Sequence, residues 1–152
     1  MLRIAIFNLE SHDKLQYTLN CLYRIKEELI DSQIDLFIDK NNIEFASQNQ
    51  YINQIIPLSL NNTNIFNFKS QYNSVNYYSR NKYHIAIDTQ GCFKTAIFNY
   101  SLSGKTAGFK KLGLLNNLIS YLFYDEKVQL NSIVEKEEKT KVLLSKTFGF
   151  EF

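Results

Sequence analysis

Glycine is scarce in the first part of this 152-residue chain. The first of its five glycines is Gly91, so none follows the first strand-like run, residues 4–7. Dinucleotide-binding folds and P-loop proteins need glycine in the turn after their first strand, because the backbone must close on phosphate groups there. The sequence therefore excludes these two kinds of nucleotide site.

Imidazole and thiol side chains are also few. His12 and His84 are the only histidines, and Cys21 and Cys92 are the only cysteines. No two of them have the spacing of metal ligands, so we expect neither a metal nor a cofactor. Each cysteine lies among apolar neighbours, which favours buried, reduced thiols in a cytoplasmic protein.

Neither sign of charge predominates, and long hydrophobic runs are absent. Seventeen basic residues against fifteen acidic ones give a net charge of +2. This balance does not provide the basic surface that nucleic-acid binding requires, so we expect no nucleic-acid partner. No run approaches the ~18 apolar residues of a membrane span, and the first apolar run is too short for a signal peptide. We therefore expect a soluble, cytoplasmic protein.

Short apolar runs alternate with segments of helical period along the chain. The strand-like runs are residues 4–7, 34–38, 54–58, 84–88 and 105–109, with a short sixth around Val128. The helical segments are residues 15–29, 42–48, 93–100, 114–123 and 133–147. This alternation predicts a single α/β domain over residues 1–152, a Rossmann-like three-layer sandwich with a mainly parallel sheet.

Residues 59–82 have no clear period and are rich in Asn, Ser, Tyr and Phe. We interpret them as a long loop that includes an irregular helix near residues 68–78. Loops of this length in a compact domain are usually functional or mobile, so we expect this segment to be the least ordered internal part of the chain.

Ligands of parallel α/β sheets bind beyond the carboxyl ends of the strands. In this chain that rule selects residues 8–14, the stretch after Asp39, and residues 88–94. These three stretches contain the candidate site residues.

The third stretch has the features of an anion site. Asp88 ends a strand, Gly91 permits a tight turn, and Lys94 lies in the first turn of the next helix. Backbone N–H groups exposed by such a turn, together with a lysine, suit a carboxylate or a phosphate. The alternative is that Asp88 and Gln90 only hold the turn between strand and helix.

Residues 83–96, YHIAIDTQGCFKTA, resemble the YDxxIDxQGxxKSA motif of the lipopolysaccharide heptosyltransferases. Residues 108–109 and 118–124 look like the family's GF and PLASLFY segments, and residues 133–136 look like its AVER helix start. Residues 148–150, FGF, correspond to its LGY ending. The order and spacing of these segments agree over essentially the whole chain.

The resemblance implies the N-terminal, acceptor-side half of a GT-B glycosyltransferase fold. Such an enzyme transfers heptose from a nucleotide-heptose donor to the Kdo inner core of lipopolysaccharide, with inversion and without metal. Its donor site is on a C-terminal domain, which we expect to be absent here, so the chain alone would be inactive. Its partners would be a Kdo-lipid A acceptor and the donor, with peripheral contact to the inner membrane.

The resemblance also implies roles for individual residues. It assigns acceptor binding to Asp88, Gln90, Gly91 and Lys94. The family's catalytic base is an aspartate preceded by glycine after the first strand, which makes Asp13 the candidate base. A helix N-cap role explains the position of Asp13 equally well. Glu10 is a second candidate for the base and His12 a third.

Two departures from the family pattern support a different interpretation. His12 stands where the family has glycine, and residues 115–117, LNN, replace the family's Arg-Glu-Pro. The competing hypothesis is a non-catalytic or degenerate carbohydrate-binding remnant of a glycosyltransferase. The reading frame after Phe152 would discriminate the two, because a continuing nucleotide-binding domain favours the enzyme and a stop codon favours the remnant.

Overall fold

The computed structural model of the chain describes residues 1–59, 65–110, 120–130 and 136–152. These residues form the strands β1 (Leu2–Asn8), β2 (Ser32–Asp39), β3 (Gln54–Leu58), β4 (Tyr83–Asp88), β5 (Ser103–Lys110) and β6 (Glu126–Gln129). The α-helices are α1 (His12–Glu28), α2 (Ile43–Ala46), α3 (Ile65–Tyr78), α4 (Phe93–Leu102) and α5 (Lys136–Phe148). Short 3₁₀ turns cover Lys40–Asn42, Ser79–Asn81 and Tyr121–Phe123.

The strands form one parallel sheet in the order β3-β2-β1-β4-β5-β6. β1 lies between β2 and β4, and β4 lies between β1 and β5, so both strands are in the interior of the sheet. The chain order reverses direction between β1 and β4, which makes this boundary the topological switch point of the sheet. The predicted parallel α/β sheet is confirmed.

Side chains of the sheet point alternately into two hydrophobic cores. Ile4 and Ile6 of β1 belong to the core that α1 and α5 cover. Ala5 and Phe7 belong to the opposite core, which α3 and α4 cover. Because both faces of the central strands are buried, their sequences are continuously apolar rather than alternating. The predicted three-layer sandwich is therefore confirmed.

The predicted loop over residues 59–82 is wrong for residues 65–78, which form α3, and the helix expected near residues 68–78 lies within α3. Phe68, Tyr72 and the fully buried Val75 face the second core at helical spacing, and Phe68 stacks on Phe98 with ring centroids 5.2 Å apart. Exposed aromatic residues on the same helix hid this period in the sequence. Residues 60–64 lie outside the described residues.

Two further predictions fall partly outside the described residues. The predicted helix over residues 114–123 lies mostly in 111–119, which the structure does not describe, and its described end is the 3₁₀ turn Tyr121–Phe123. The first part of the predicted helix over residues 133–147 is also outside, and the remainder is α5.

The aromatic residues near the C-terminus pack on this domain. Phe148 stacks on Phe150 at 5.7 Å, and Phe150 stacks on Phe152 at 5.1 Å between ring centroids. Phe148 and Phe152 are partly buried against the core that α1 and α5 cover. Hence these three rings form a column against the domain.

Candidate functional site

A pocket of about 170 Å³ lies at the carboxyl edge of the sheet, at the switch point between β1 and β4. We call it the crevice. It is lined by Glu10, Lys14, Tyr17, Thr89, Gln90, Phe109, Leu130, Lys139 and Thr140. The crevice thus lies where parallel α/β sheets bind ligands, and it includes parts of two of the three stretches that the sequence selects.

The turn after β4 is organised around the carboxylate of Asp88, which has no exposed surface. Its Oδ1 accepts hydrogen bonds from the backbone N–H groups of Gln90 and Gly91, both at 2.9 Å. Its Oδ2 accepts from the hydroxyls of Thr95 at 2.6 Å and Tyr124 at 2.5 Å. Gly91 has φ 69°, a conformation that residues with a side chain rarely adopt.

These contacts correct the expectation that the turn offers backbone N–H groups to a ligand. Those of Gln90 and Gly91 are bonded to Asp88, because a buried carboxylate must be satisfied by the nearest donors. Asp88 and Gly91 therefore hold the shape of the turn, and their contact with an acceptor stays a prediction. Of the three, only Gln90 lines the crevice.

The environment of Asp88 has opposing effects on its acidity. Burial raises the pKa of the carboxyl, while the hydrogen bonds from Thr95, Tyr124, Gly91 and Gln90 lower it. Burial also raises the pKa of the Tyr124 phenol, and the neighbouring Asp88 charge raises it further. Tyr124 is therefore a neutral hydrogen-bond donor to Asp88.

Tyr124 is a residue of this site to which the sequence assigned no role, although it ends the segment that resembles PLASLFY. Its ring lies over Gly108 of β5, where an added Cβ would approach the ring carbons to 2.4 Å. Glycine at position 108 thus makes room for the tyrosine that reaches Asp88. The signal in the sequence is the spacing of Gly108 and Tyr124 within the family-like segments.

The segment after β1 is held by several side-chain hydrogen bonds. Asn8 Oδ1 accepts from the backbone N–H of Glu10 at 3.2 Å, and Asn42 Nδ2 donates to the Glu10 carbonyl at 3.0 Å. The Glu10 carboxylate pairs with the Lys14 ammonium at 2.7 Å. Glu10 is therefore a fixed carboxylate on the wall of the crevice.

Asp13 lies in the first turn of α1 at the same edge of the sheet and is exposed. The N-cap of α1 is Ser11, whose carbonyl accepts from the N–H groups of Lys14 and Leu15 at 3.0 Å, so the N-cap role for Asp13 is wrong. Asp13 does not line the crevice. The ring of His12 packs on Phe45, with centroids 3.6 Å apart.

The lysine on the crevice wall is not the one that the sequence predicted. Lys94 is in the first turn of α4 as predicted, but it is half-buried and is not part of the crevice wall. Lys139 of α5 lines the crevice, together with the buried Thr140. Nothing in the sequence distinguishes Lys139, because charged residues recur on every side of that helix.

Over residues 1–59, 65–110, 120–130 and 136–152, no group of three or more His, Cys, Asp or Glu residues is close enough to hold a metal ion. The helices of this part of the chain include none with both the length and the apolar character needed to cross a membrane.

Comparison with solved structures assigns the fold. The E. coli heptosyltransferase WaaC with ADP superimposes with a TM-score of 0.82 and 19% identity, over 99% of this chain and 48% of that one. This chain has the fold of half a GT-B glycosyltransferase. A glycosyl transferase family 9 protein from Veillonella parvula gives a TM-score of 0.81 and 16% identity, over 97% of this chain and 41% of that one.

The E. coli ADP-heptose LPS heptosyltransferase II also matches, with a TM-score of 0.72 and 14% identity, over 94% of this chain and 40% of that chain. The chain thus spans less than half the length of these structures. No family model and no curated protein sequence matches it. At these identities the comparisons show the fold, and the resemblance to heptosyltransferase structures is confirmed at that level.

Proposed function

We propose that this chain is the acceptor-side domain of an inverting glycosyltransferase that transfers heptose from a nucleotide-heptose donor to the Kdo inner core of lipopolysaccharide. The observation that carries the proposal is the crevice at the switch point of a sheet that superimposes on heptosyltransferase WaaC with a TM-score of 0.82. Two of the matched structures are described with ADP or an ADP-heptose analogue, which supports a nucleotide-sugar donor.

The donor would bind to a second domain that faces the carboxyl edge of the sheet. In this arrangement Asp13 is the general base that removes the proton of the acceptor hydroxyl, and its exposure at that edge leaves it accessible to an acceptor between the domains. Gln90 and Lys94 would contact the acceptor. Asp88 and Gly91 would hold the turn that presents Gln90.

The proposal is tested with the full-length protein that carries this chain, incubated with ADP-heptose and Kdo-lipid A. Mass spectrometry of the lipid should show the addition of one heptose, and EDTA should not reduce the rate because the proposed reaction uses no metal. ADP-glucose in place of ADP-heptose is the donor control. Absence of transfer from a folded full-length protein would favour the non-catalytic remnant, which the His12–Phe45 packing in place of the family's glycine supports.

A further inference from the structure

The crevice contains a cation that has no ion-pair partner among the residues that the structure describes. Lys139 is half-buried and lines the crevice. None of the ion pairs within residues 1–59, 65–110, 120–130 and 136–152 includes Lys139, whereas Lys14 is paired with Glu10 at 2.7 Å. A lysine ammonium on a pocket wall, outside the ion pairs of these residues, can take an anionic group of a ligand as its partner.

We propose that Lys139 binds an anionic group, a carboxylate or a phosphate, of a ligand that occupies the crevice. This inference rests on the proposed function in one respect, which is the identification of the ligand as a sugar acceptor. Electrostatic attraction would be stronger here than on the open surface, because the surrounding walls reduce screening by water. The anion would be the counter-ion of the Lys139 ammonium.

Neither of the other lysines near this edge fits the role as well. The Lys14 ammonium would have to leave the Glu10 carboxylate to bind a ligand, and so would lose an existing ion pair. Lys94 does not line the crevice. Lys139 is the lysine of the three that combines a place on the crevice wall with an ammonium outside the ion pairs of the described residues.

The rest of the wall suits a sugar that carries the charge. Tyr17 and Gln90 are polar residues of this wall, and Phe109 and Leu130 are apolar ones. The volume of about 170 Å³ equals that of about six waters at roughly 30 Å³ each. The crevice can therefore accommodate one charged group and part of the ring that bears it.

The test uses the ¹⁵N-labelled chain titrated with sodium glucuronate, inorganic phosphate and neutral glucose, while the amide signals of Thr89, Gln90 and Thr140 are followed by NMR. We expect glucuronate or phosphate to shift these signals and glucose to bind more weakly than either. Stronger binding of glucuronate would identify a sugar-acid carboxylate as the ligand group, and stronger binding of phosphate would identify a phosphate.

Lys139→Gln should weaken binding of the preferred anion about tenfold, because it removes a hydrogen bond to a charged group. Lys146→Gln, on the exposed part of the same helix, is the matched control and should leave the affinity unchanged. Equal affinity for glucose and the anions, or an unchanged affinity in the Lys139→Gln variant, would overturn the inference.

Failure of the inference and failure of the proposed function are distinguishable, because this titration requires no transfer. Anion binding that depends on Lys139, combined with no heptose transfer by the full-length protein, would remove only the proposed function. Heptose transfer combined with anion binding that is independent of Lys139 would remove only the role of Lys139.

Discussion

A side chain at position 108 would collide with the ring of Tyr124, since a Cβ there lies 2.4 Å from the ring. The ring cannot move without weakening its hydrogen bond to Asp88, so Gly108→Ala should reduce the free energy of unfolding by about 1–3 kcal/mol. Urea denaturation measures this change. Gly104→Ala in the same strand is the control, because no atom lies within 4 Å of its Cβ position, and it should have an effect within about 0.5 kcal/mol.

The hydroxyl of Tyr124 should affect stability in a pH-dependent way. Burial raises the pKa of Asp88 in the folded state, so ionisation of Asp88 lowers the free energy of unfolding. This loss of stability is absent below the pKa of Asp88 in the unfolded chain and complete above its pKa in the folded chain. Tyr124→Phe removes one of the donors that stabilise the ionised form. It should therefore lower the free energy of unfolding by about 1–3 kcal/mol when Asp88 is ionised, and by less when Asp88 is protonated.

Urea denaturation of Tyr124→Phe and the unmodified chain at acidic and alkaline pH gives this difference directly. Tyr100→Phe serves as the control, because its ring is 63% exposed. The proposed coupling between Tyr124 and Asp88 would be contradicted if Tyr124→Phe cost the same at every pH.

Replacement of Asp13 tests the proposed base. Asp13→Asn should lower the turnover of the full-length protein about 10²–10⁴-fold, because general base catalysis typically contributes that much. Its melting temperature should change little, since Ser11 rather than Asp13 is the N-cap. Glu10→Gln is the comparison, because Glu10 is the carboxylate on the crevice wall. Intact turnover in Asp13→Asn with loss in Glu10→Gln would transfer the role of base to Glu10.

At the scale of elements, the sequence predicts strands and helices whose apolar residues recur with a regular local period. It misses features that depend on contacts between distant parts of the chain. The apolar run of β1 and the helical spacing of α1 both arise from burial, which the sequence records directly. The sequence predicts α3 only as an irregular helix near residues 68–78, because exposed Phe66 and Tyr77 obscure its buried face and its packing on Phe98 is a distant contact. Tyr124 and Lys139 were missed because each reaches the site from a distant part of the chain.

The small number of buried residues in α3 predicts that this helix opens before the sheet. Val75 is its one fully buried residue among those described, whereas six residues of α1 are buried. Amide hydrogen exchange should therefore be faster in α3 than in β4, because local opening requires less free energy where fewer apolar contacts are lost. α1 is the control helix and should exchange more slowly than α3. Protection of α3 equal to that of β4 would contradict this prediction.

On the scale of the whole molecule, we propose that this chain binds the acceptor and that a second domain binds the donor. The carboxyl edge of the six-stranded sheet carries the crevice, Asp13 and the Gln90 turn, all on elements of this chain. The chain covers 48% of the WaaC structure and 40% of heptosyltransferase II, and the proposed donor site belongs to the part that it does not cover. The 152-residue chain should therefore bind the acceptor without binding the nucleotide sugar.

This division is tested by titration of the ¹⁵N-labelled chain with ADP-heptose and, separately, with a soluble Kdo oligosaccharide. We expect the Kdo compound to shift the amide signals of Thr89, Gln90 and Lys14 at the crevice. Ser32 and Gln50, at the opposite edge of the sheet, should remain unshifted, and ADP-heptose should shift none of these signals. Binding of ADP-heptose at the crevice with no response to the Kdo compound would contradict the assignment of this chain as the acceptor-side domain.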